Sequence, residues 1–518
     1  MPQPFNQEGG IRVPGSDKQP PIPLDASLDA NLIAIRAAVS GSADIIIREF
    51  RAGASASAKA ALIYVEGLCD SATIEDHILR PLLRADDQAA DFARELPQYA
   101  RSHILTVGEI KEVGDQAALF ESFLSGASVL LFDGFAQALA LDTRGWEQRG
   151  IEEPSTQMVL RGPKEGFTET LKTNIGLLRR KIKTTQLRSE RMTIGRLSRT
   201  DVAIMYVEGT ADPSVLSELR VRLSRIDIDT ILESGNIEEF IQDDRMTYFP
   251  TVFNTERPDV AAAGLAEGRV AILVDGTPFV LLVPALLTQF LQSPDDYYQR
   301  ADIASILRLL RLTAFFIALL APSVFIAITS FHQEMLPSTL LISIAASRTG
   351  VPFPVFVEAM VMEMTFELLR EAGLRMPKAV GQAISIVGAL VLGEAAVQAG
   401  LVSPGMVIVV SLTAITTFAI PYTSLATPIR ILRFLMMGLA AMFGLYGIFI
   451  GVTYLIIHLN TLSSFGVPYL KPYAPFVLND QKDGVILRVP IWKMVLRPFS
   501  IPVRNRTRQR SPQSQGEE

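Results

Sequence analysis

Leu312-Thr-Ala-Phe-Phe-Ile-Ala-Leu-Leu-Ala-Pro-Ser-Val-Phe-Ile-Ala-Ile-Thr-Ser330 carries no formal charge. A helix crossing the ~30 Å hydrocarbon core of a bilayer needs about 20 mostly apolar residues, and this run meets the requirement. Outward from it, charge stays scarce. Between Arg311 and Arg348 the only charged residue is Glu334, between Lys378 and Arg430 it is Glu394, and from Phe434 to Leu470 there is none. Ala379–Ala399, Val402–Ile420 and Phe434–Leu459 are further runs of spanning length. Leu336–Leu369 is apolar but broken by Arg348, Pro352 and Pro354, so it reads as one interrupted span or as a re-entrant piece followed by a span. Buried helices of a large soluble protein are the competing explanation. Several such runs in close succession favour an integral membrane protein.

The rest of the 518-residue chain is ordinary in composition, with 49% hydrophobic and 20% charged residues. Its mean hydropathy of +0.29 therefore describes an apolar block joined to a soluble part. The single cysteine, Cys69, excludes an internal disulfide framework and any multi-cysteine metal centre. His77, His103, His332 and His458 lie far apart, with no short metal-binding spacing. No GxxxxGK[ST], GxGxxG or GxSxG occurs, so the expectation is a protein that is not an enzyme and takes no cofactor. A net charge of −6 argues against a dedicated nucleic-acid binder. MPQPFNQEGGIRVPG lacks a basic start followed by an apolar core, so no secretory signal is read there.

Basic loop residues set the expected orientation. Arg300, Arg308 and Arg311 precede the first span and place the N-terminal half in the cytoplasm. Arg370, Arg375 and Lys378, then Arg430 and Arg433, read as later cytoplasmic loops. The uncharged Gly400–Gly405 turn reads as external. Five crossings would leave the C-terminal tail outside, although it carries Lys471, Lys482, Arg488, Lys493 and Arg497. An even number would remove the conflict.

The N-terminal half contains an internal repeat. Ala61-Leu-Ile-Tyr-Val-Glu-Gly67 recurs as Ala203-Ile-Met-Tyr-Val-Glu-Gly209, and Val129-Leu-Leu-Phe-Asp-Gly134 as Ala271-Ile-Leu-Val-Asp-Gly276. Leu28-Asp-Ala-Asn-Leu-Ile-Ala-Ile-Arg36 matches Leu171-Lys-Thr-Asn-Ile-Gly-Leu-Leu-Arg179. Apolar runs ending in Glu-Gly or Asp-Gly read as buried strands leaving through turns. Ile74–Leu83, Asp115–Leu124 and Pro213–Arg225 read as helices, with Asp70 and Asp212 at helix starts. The acidic–glycine pairs are turn residues or ligand sites at strand ends. The expected fold is a duplicated α/β cytoplasmic domain plus an α-helical polytopic transmembrane domain. Its order is a disordered tail over 1–27, module one over 28–160, a basic connector and module two over 161–298, transmembrane helices over 299–460 and a polar basic tail over 461–518.

Two groups of residues stand out as candidate sites. Arg161–Arg199 is strongly basic, and Arg179, Arg180, Lys181 and Lys183 are candidate contacts for anionic lipid or an acidic partner, or else a solvated helix face. Inside the apolar block, an ionisable group costs ~2.5–3.5 kcal/mol at mid-membrane and normally faces a cavity or a partner. Glu358, Glu363 and Glu367 lie on one predicted helix, and Glu394 and Gln398 are an i,i+4 pair, with Gln382 upstream. They line a cation path if copies form a ring. Otherwise Glu363 and Glu367 sit near Arg370 and Arg375 at the interface, and Glu394 pairs with a neighbouring span. Gly381, Gly388, Gly393, Gly438 and Gly444 recur in the spans, and Gly447 and Gly451 form a GxxxG, a surface for close helix contact within or between chains.

Glu256-Arg-Pro-Asp259, Gly268-Arg-Val-Ala-Ile-Leu-Val-Asp-Gly-Thr-Pro-Phe279, Ser293-Pro-Asp-Asp-Tyr-Tyr298, Phe331-His-Gln-Glu-Met-Leu-Pro337, Arg348-Thr-Gly-Val-Pro-Phe-Pro354, Phe366-Glu-Leu-Leu-Arg-Glu-Ala-Gly373 and Ser464-Phe-Gly-Val-Pro-Tyr469 are carried in that order. With Arg161-Gly-Pro-Lys-Glu-Gly-Phe167 in the soluble half, the chain resembles the A subunits of bacterial spore germinant receptors over about residues 28–480. The resemblance implies a spore inner-membrane protein acting with a transporter-like B subunit that holds the nutrient and a lipoprotein C subunit. It also implies assembly, as a pentamer, into a cation channel opened by that signal. A related A-subunit-like protein of the dipicolinate-release operon shares the pattern; Asn31, Asp44 and Tyr64-Val-Glu-Gly67 lean toward the receptor branch. A non-conducting scaffold that docks partners through its cytoplasmic domain is the alternative function.

Overall fold

The computed structural model describes residues 22–40, 42–85, 95–145, 157, 161–375, 393–476 and 487–509. The chain divides into two compact units, Met1–Arg149 with Ile175–Glu190, and Gly150–Asn174 with Arg191–Glu518. In the first, β1 (Ile45–Ala52), β2 (Ala58–Val65), β3 (Ile110–Val113), β4 (Ser128–Phe132) and β5 (Ala138–Leu141) form a sheet in the order β1-β2-β4-β5-β3. Successive strand residues face opposite sides. Ala61, Ile63 and Val65 of β2 therefore pack with Leu32, Ile35 and Phe123 from the Leu28–Val39 and Gln116–Leu124 helices. Ala60 and Leu62 pack on the other face with Ile74, Ile78 and Leu82. Cover on both faces explains why these strands read as continuous apolar runs. Asp70 and Asp115 cap helices through the amides of Ala72, Thr73 and Ala118, as their positions in the sequence predict.

A second sheet repeats this order position for position, β6-β7-β9-β10-β8, from β6 (Leu187–Ile194), β7 (Thr200–Val207), β8 (Phe253–Thr255), β9 (Val270–Val274) and β10 (Val280–Val283). The same local devices recur. Asn31 accepts from the Asp25 amide at 2.9 Å and donates to the Asp25 carbonyl. Asn174 makes the same clamp on Thr168, accepting at 2.8 Å. The Asp133 carboxylate accepts the Leu28 amide at 3.1 Å, and Asp275 accepts that of Leu171 at 2.9 Å, each in a helix's first turn. Gly134 and Gly276 follow at φ +89° and +90°, where a Cβ would be strained. These Asp-Gly pairs are turn chemistry that starts a helix, and the ligand-site alternative is not needed for them.

The apolar part forms the helices Ala301–Ser330, Ser338–Arg348, Val355–Arg375, Pro404–Phe418, Thr423–Phe443 and Leu445–Thr461. Of the described helices, Ala301–Ser330 and Thr423–Phe443 are long and apolar enough to cross a membrane by length and composition. The expected span Phe434–Leu459 is corrected, because Gly444 breaks it at φ 60°, ψ −137°. A Cβ there would lie 2.8 Å from His332 Cε1. The chain reverses, and the next helix packs so closely that a Cβ on Gly447 would meet the Leu439 carbonyl oxygen at 2.1 Å and one on Gly451 would meet Met436 Sδ at 2.5 Å. The GxxxG thus serves a hairpin within the chain. Arg430 and Arg433, expected in a loop, lie inside the first leg of that hairpin. The expected span Ala379–Ala399, with Gln382, Gly381 and Gly388, falls largely outside the described residues.

The boundary expected at residue 298 is not a seam. Asp296 accepts from Arg308 Nε at 2.9 Å and Arg311 Nη1 at 2.8 Å, tying the base of the Ala301–Ser330 helix to the second module. The Tyr422 ring stands 4.7 Å from that of Phe253, and His458 Nε2 lies 3.0 Å from Thr247 Oγ1. If each of the five expected spans crosses, splitting the last into two legs makes the number of crossings even; the C-terminal segment returns to the module. Arg504 N donates to the Thr210 carbonyl at 3.1 Å, and Arg497 Nε to that of Ala266 at 2.7 Å. The tail boundaries shift with it: residues 500–509 are docked rather than disordered, as is Leu24, whose amide bonds the Gly114 carbonyl at 3.0 Å. Residues 1–21 and 510–518 lie outside the described residues.

Topology is directly testable, since Cys69 is the one native thiol and is buried. In a Cys69→Ser background, Ser217→Cys and Asn505→Cys are expected to react with a membrane-impermeant maleimide from the same side of sealed membranes. Opposite sidedness would refute the even parity.

Candidate functional site

The three candidate carboxylates on the Val355–Arg375 helix, Glu358, Glu363 and Glu367, are each met by groups of this same chain. Glu358, fully buried, accepts the Ser403 amide at 2.6 Å and the Ser403 hydroxyl, while Arg348 Nε approaches its other oxygen at 3.7 Å. Ser403 is itself the N-cap of Pro404–Phe418, so this carboxylate sits at a helix N-terminus where amides favour negative charge. Glu363, also fully buried, accepts from Arg433 Nη1 at 2.6 Å. Glu367 accepts from Arg430 Nη1 at 2.7 Å and Arg370 Nη2 at 3.0 Å.

Arg433 is the centre of this network. Its Nε donates to the Ala318 carbonyl at 2.7 Å, Nη1 to Glu363, and Nη2 to Thr417 Oγ1 at 3.0 Å. One guanidinium joins Ala301–Ser330, Val355–Arg375 and Pro404–Phe418 to its own helix. Its planar fork of donors suits several partners at once. No local spacing hints at this pairing, because Glu363 and Arg433 are 70 residues apart. Of the two readings of Glu363 and Glu367, arginine pairing is what the chain shows. Arg370 pairs with Glu367 as expected, Arg433 and Arg430 add partners that were expected in a loop, and Arg375 bonds Glu371 instead, at 2.8 Å.

Pairing is incomplete. Glu358 Oε2, Glu363 Oε1 and Glu367 Oε1 are buried without a hydrogen-bond donor among the described residues. Buried acceptors of this kind are normally met by ordered water. Glu394 differs: it is exposed, and its Oε1 accepts from Gln398 Nε2 at 3.1 Å one turn along.

The basic group is corrected in part. Arg179 is fully buried, with Nε 2.6 Å and Nη2 2.9 Å from the two oxygens of Asp44 and further bonds to Ser42 Oγ and the Thr184 carbonyl. It is a core ion pair of the first unit and unavailable to lipid. Arg180 and Lys181 are half-buried and engaged in contacts of their own, whereas Lys183 is exposed.

One cleft went unread in the sequence. A cavity of about 380 Å³ lies between the second module and the start of the Thr423–Phe443 helix, lined by Glu233, Glu238, Asn254, Tyr422, Thr423 and Thr427 among others. Burial pushes the Glu238 carboxyl up to about 7, and the nearby Glu233 charge adds to the rise. No spacing signal marks it, since its neighbours come from distant segments.

The family model described as Bacillus/Clostridium GerA spore germination protein matches residues 34–500. The chain is 48% identical to spore germination protein KA of Bacillus subtilis (strain 168) over 493 residues, covering 95% of this chain and 90% of that protein. It is 43% identical to the uncharacterized membrane protein YfkQ of the same organism over 477 residues, 92% of this chain and 91% of that protein. The solved N-terminal domain of the A subunit of the Bacillus megaterium spore germinant receptor GerK3 is 38% identical, covering 52% of this chain and 98% of that domain at a TM-score of 0.41. The described residues themselves form an α/β N-terminal region and a helical C-terminal part. The chain belongs to the GerA family of spore germination proteins.

Two outcomes follow from this geometry. Arg433→Met leaves Glu363 as an uncompensated buried charge and is expected to cost about 3–5 kcal/mol. Glu363→Met combined with Arg433→Met should recover most of that loss in denaturant titrations of the detergent-solubilised protein. For Glu238, the folded state holds its proton more tightly than the unfolded state. Stability contributed by this group therefore falls as pH rises from its ordinary value of 4.5 to about 7. Glu238→Gln should be more stable than wild type above pH 7 and indistinguishable from it below pH 4.5 in melting profiles.

Proposed function

We propose that this chain is the A-type membrane subunit of a nutrient germinant receptor and triggers spore germination. It would act in the spore inner membrane, its α/β modules on the cytoplasmic side, with a transporter-like B subunit and a lipoprotein C subunit. Membership of the GerA family supports this reading, as does the polytopic helical part. The role is non-enzymatic: it binds partners and changes conformation. The receptor branch is preferred over the dipicolinate-release relative on the sequence pattern of Asn31, Asp44 and Tyr64-Val-Glu-Gly67.

Within that role, we infer that copies of the chain, a pentamer in the resemblance, form a cation path gated by the partner's ligand. The observation that carries this is Glu394, exposed beside Gln398 in an apolar segment, where a solvated carboxylate is costly unless it faces water. Ligand binding in the partner would have to favour one of two states of the helical part by differential affinity. The arginine-paired Glu358, Glu363 and Glu367 favour the second reading, a non-conducting scaffold. Their charge is compensated within one chain and needs no ring of copies.

Glu394→Gln separates the two readings, because among the described residues this exposed carboxylate is bonded to Gln398 alone. Reduced cation release during nutrient germination, with unchanged protein abundance, is expected for the conducting subunit. Wild-type release, together with no unitary currents from the purified chain in planar bilayers, would leave the scaffold.

A further inference from the structure

The C-terminal segment places an amphipathic patch at the base of the first long helix. Leu487, Ile491 and Trp492 are 56%, 56% and 58% exposed, a large apolar surface for a segment otherwise bonded into the fold. The segment is held in place by the Arg488 amide, which donates to Ser305 Oγ at 2.9 Å, and by Arg488 Nη1, which donates to the Gln299 carbonyl at 3.2 Å. Ile491 and Trp492 share a groove with Arg300, Ala301 and Asp302, the first turn of the Ala301–Ser330 helix. Lys493 Nζ stands 4.8 Å over the Trp492 ring.

Length fixes the depth of this patch. Thirty residues rise about 45 Å, roughly 15 Å more than the hydrocarbon core. The uncharged run begins at Leu312, so for an upright helix the turns around Ala301–Ser305 lie on the headgroup side, roughly 10–16 Å beyond the hydrocarbon edge, and nearer it as the helix tilts. In those turns Ile303 and Ile306 are also exposed, at 47% and 66%. Of the arginines that the sequence offers for headgroup contact there, Arg308 and Arg311 are spent on Asp296 and Arg300 bonds Asp302. Cationic and aromatic groups at this depth come instead from the tail, and indole and lysine side chains are the ones that favour a bilayer interface.

We propose that residues 487–493 form an interfacial anchor that docks Trp492, Ile491 and Lys493 onto the anionic headgroup layer of the same bilayer the helices cross. The proposal rests on the membrane reading above. The anchor holds the base of the first helix, and the second module bonded to it, at a set height against the lipid surface.

The chain has two tryptophans, so Trp146→Phe leaves Trp492 as the sole indole reporter. The full-length variant is reconstituted into phosphatidylcholine vesicles with or without phosphatidylglycerol, and insertion is scored independently by resistance to carbonate extraction. Trp492 emission is expected to be quenched by lipids brominated near the headgroup, weakly by lipids brominated at the chain ends and weakly by aqueous iodide. Phosphatidylglycerol should strengthen the shallow quenching, and Lys493→Glu should abolish that increment. Extraction by carbonate would sink the membrane reading itself. An inserted protein whose Trp492 is quenched by iodide and not by bromolipid overturns the anchor alone. Shielding from both quenchers also overturns it, and assigns the patch to a second copy or a partner chain.

Discussion

A guanidinium with no solvent around it must find acceptors in every direction, and Arg433 finds them on three other helices. That requirement organises the helical part. Helices in an apolar medium gain little from hydrophobic exclusion, so close packing and polar bonds must hold them together. The Arg433–Glu363 pair supplies the bond, and Arg430–Glu367 repeats it one turn away. Glu358 extends the polar seam to the N-terminus of Pro404–Phe418. Such a seam is strong when complete and costly when broken. Its unsatisfied oxygens mark where water has to enter.

The two α/β modules are built from the same clamps, and the second also carries residues that join it to the helices. Asp296, Phe253, Thr247 and Thr251 have their partners in Arg308 and Arg311, Tyr422, His458 and Ser464. Duplication preserved the turn and cap chemistry, which is local. Divergence at the module's rim converted one copy into a platform for helix ends. Any displacement of this platform moves the bases of helices whose other turns are locked through Arg433.

Most of the α/β architecture was legible before any coordinates. Strand runs, helix starts at Asp70, Asp115 and Asp212, and the repeat register all depend on neighbours a few residues away or on periodicity. The charge-poor runs were legible for the same reason. The candidate carboxylates were visible as anomalies, because an acid in an apolar run stands out by itself. Their roles were not visible, because a pairing energy depends on a partner whose sequence distance is unconstrained. Positive charge was misread in the same way: Arg179 and Arg433 look like surface or loop residues until Asp44 and Glu363 are seen beside them.

The sequence by itself determined the division into a duplicated soluble half and an apolar helical half, the strand and cap positions, and membership of a spore germination family. Those features rest on local composition and short-range hydrogen bonding. Only the tertiary structure decided that Gly444 turns one apolar run into a hairpin, that the chain end returns to the second module, and that Glu363 and Glu367 are held by arginines and Glu358 by Ser403. Each of these depends on close approach between segments remote in the chain. A glycine's missing Cβ or a buried charge acquires meaning only from what is packed against it.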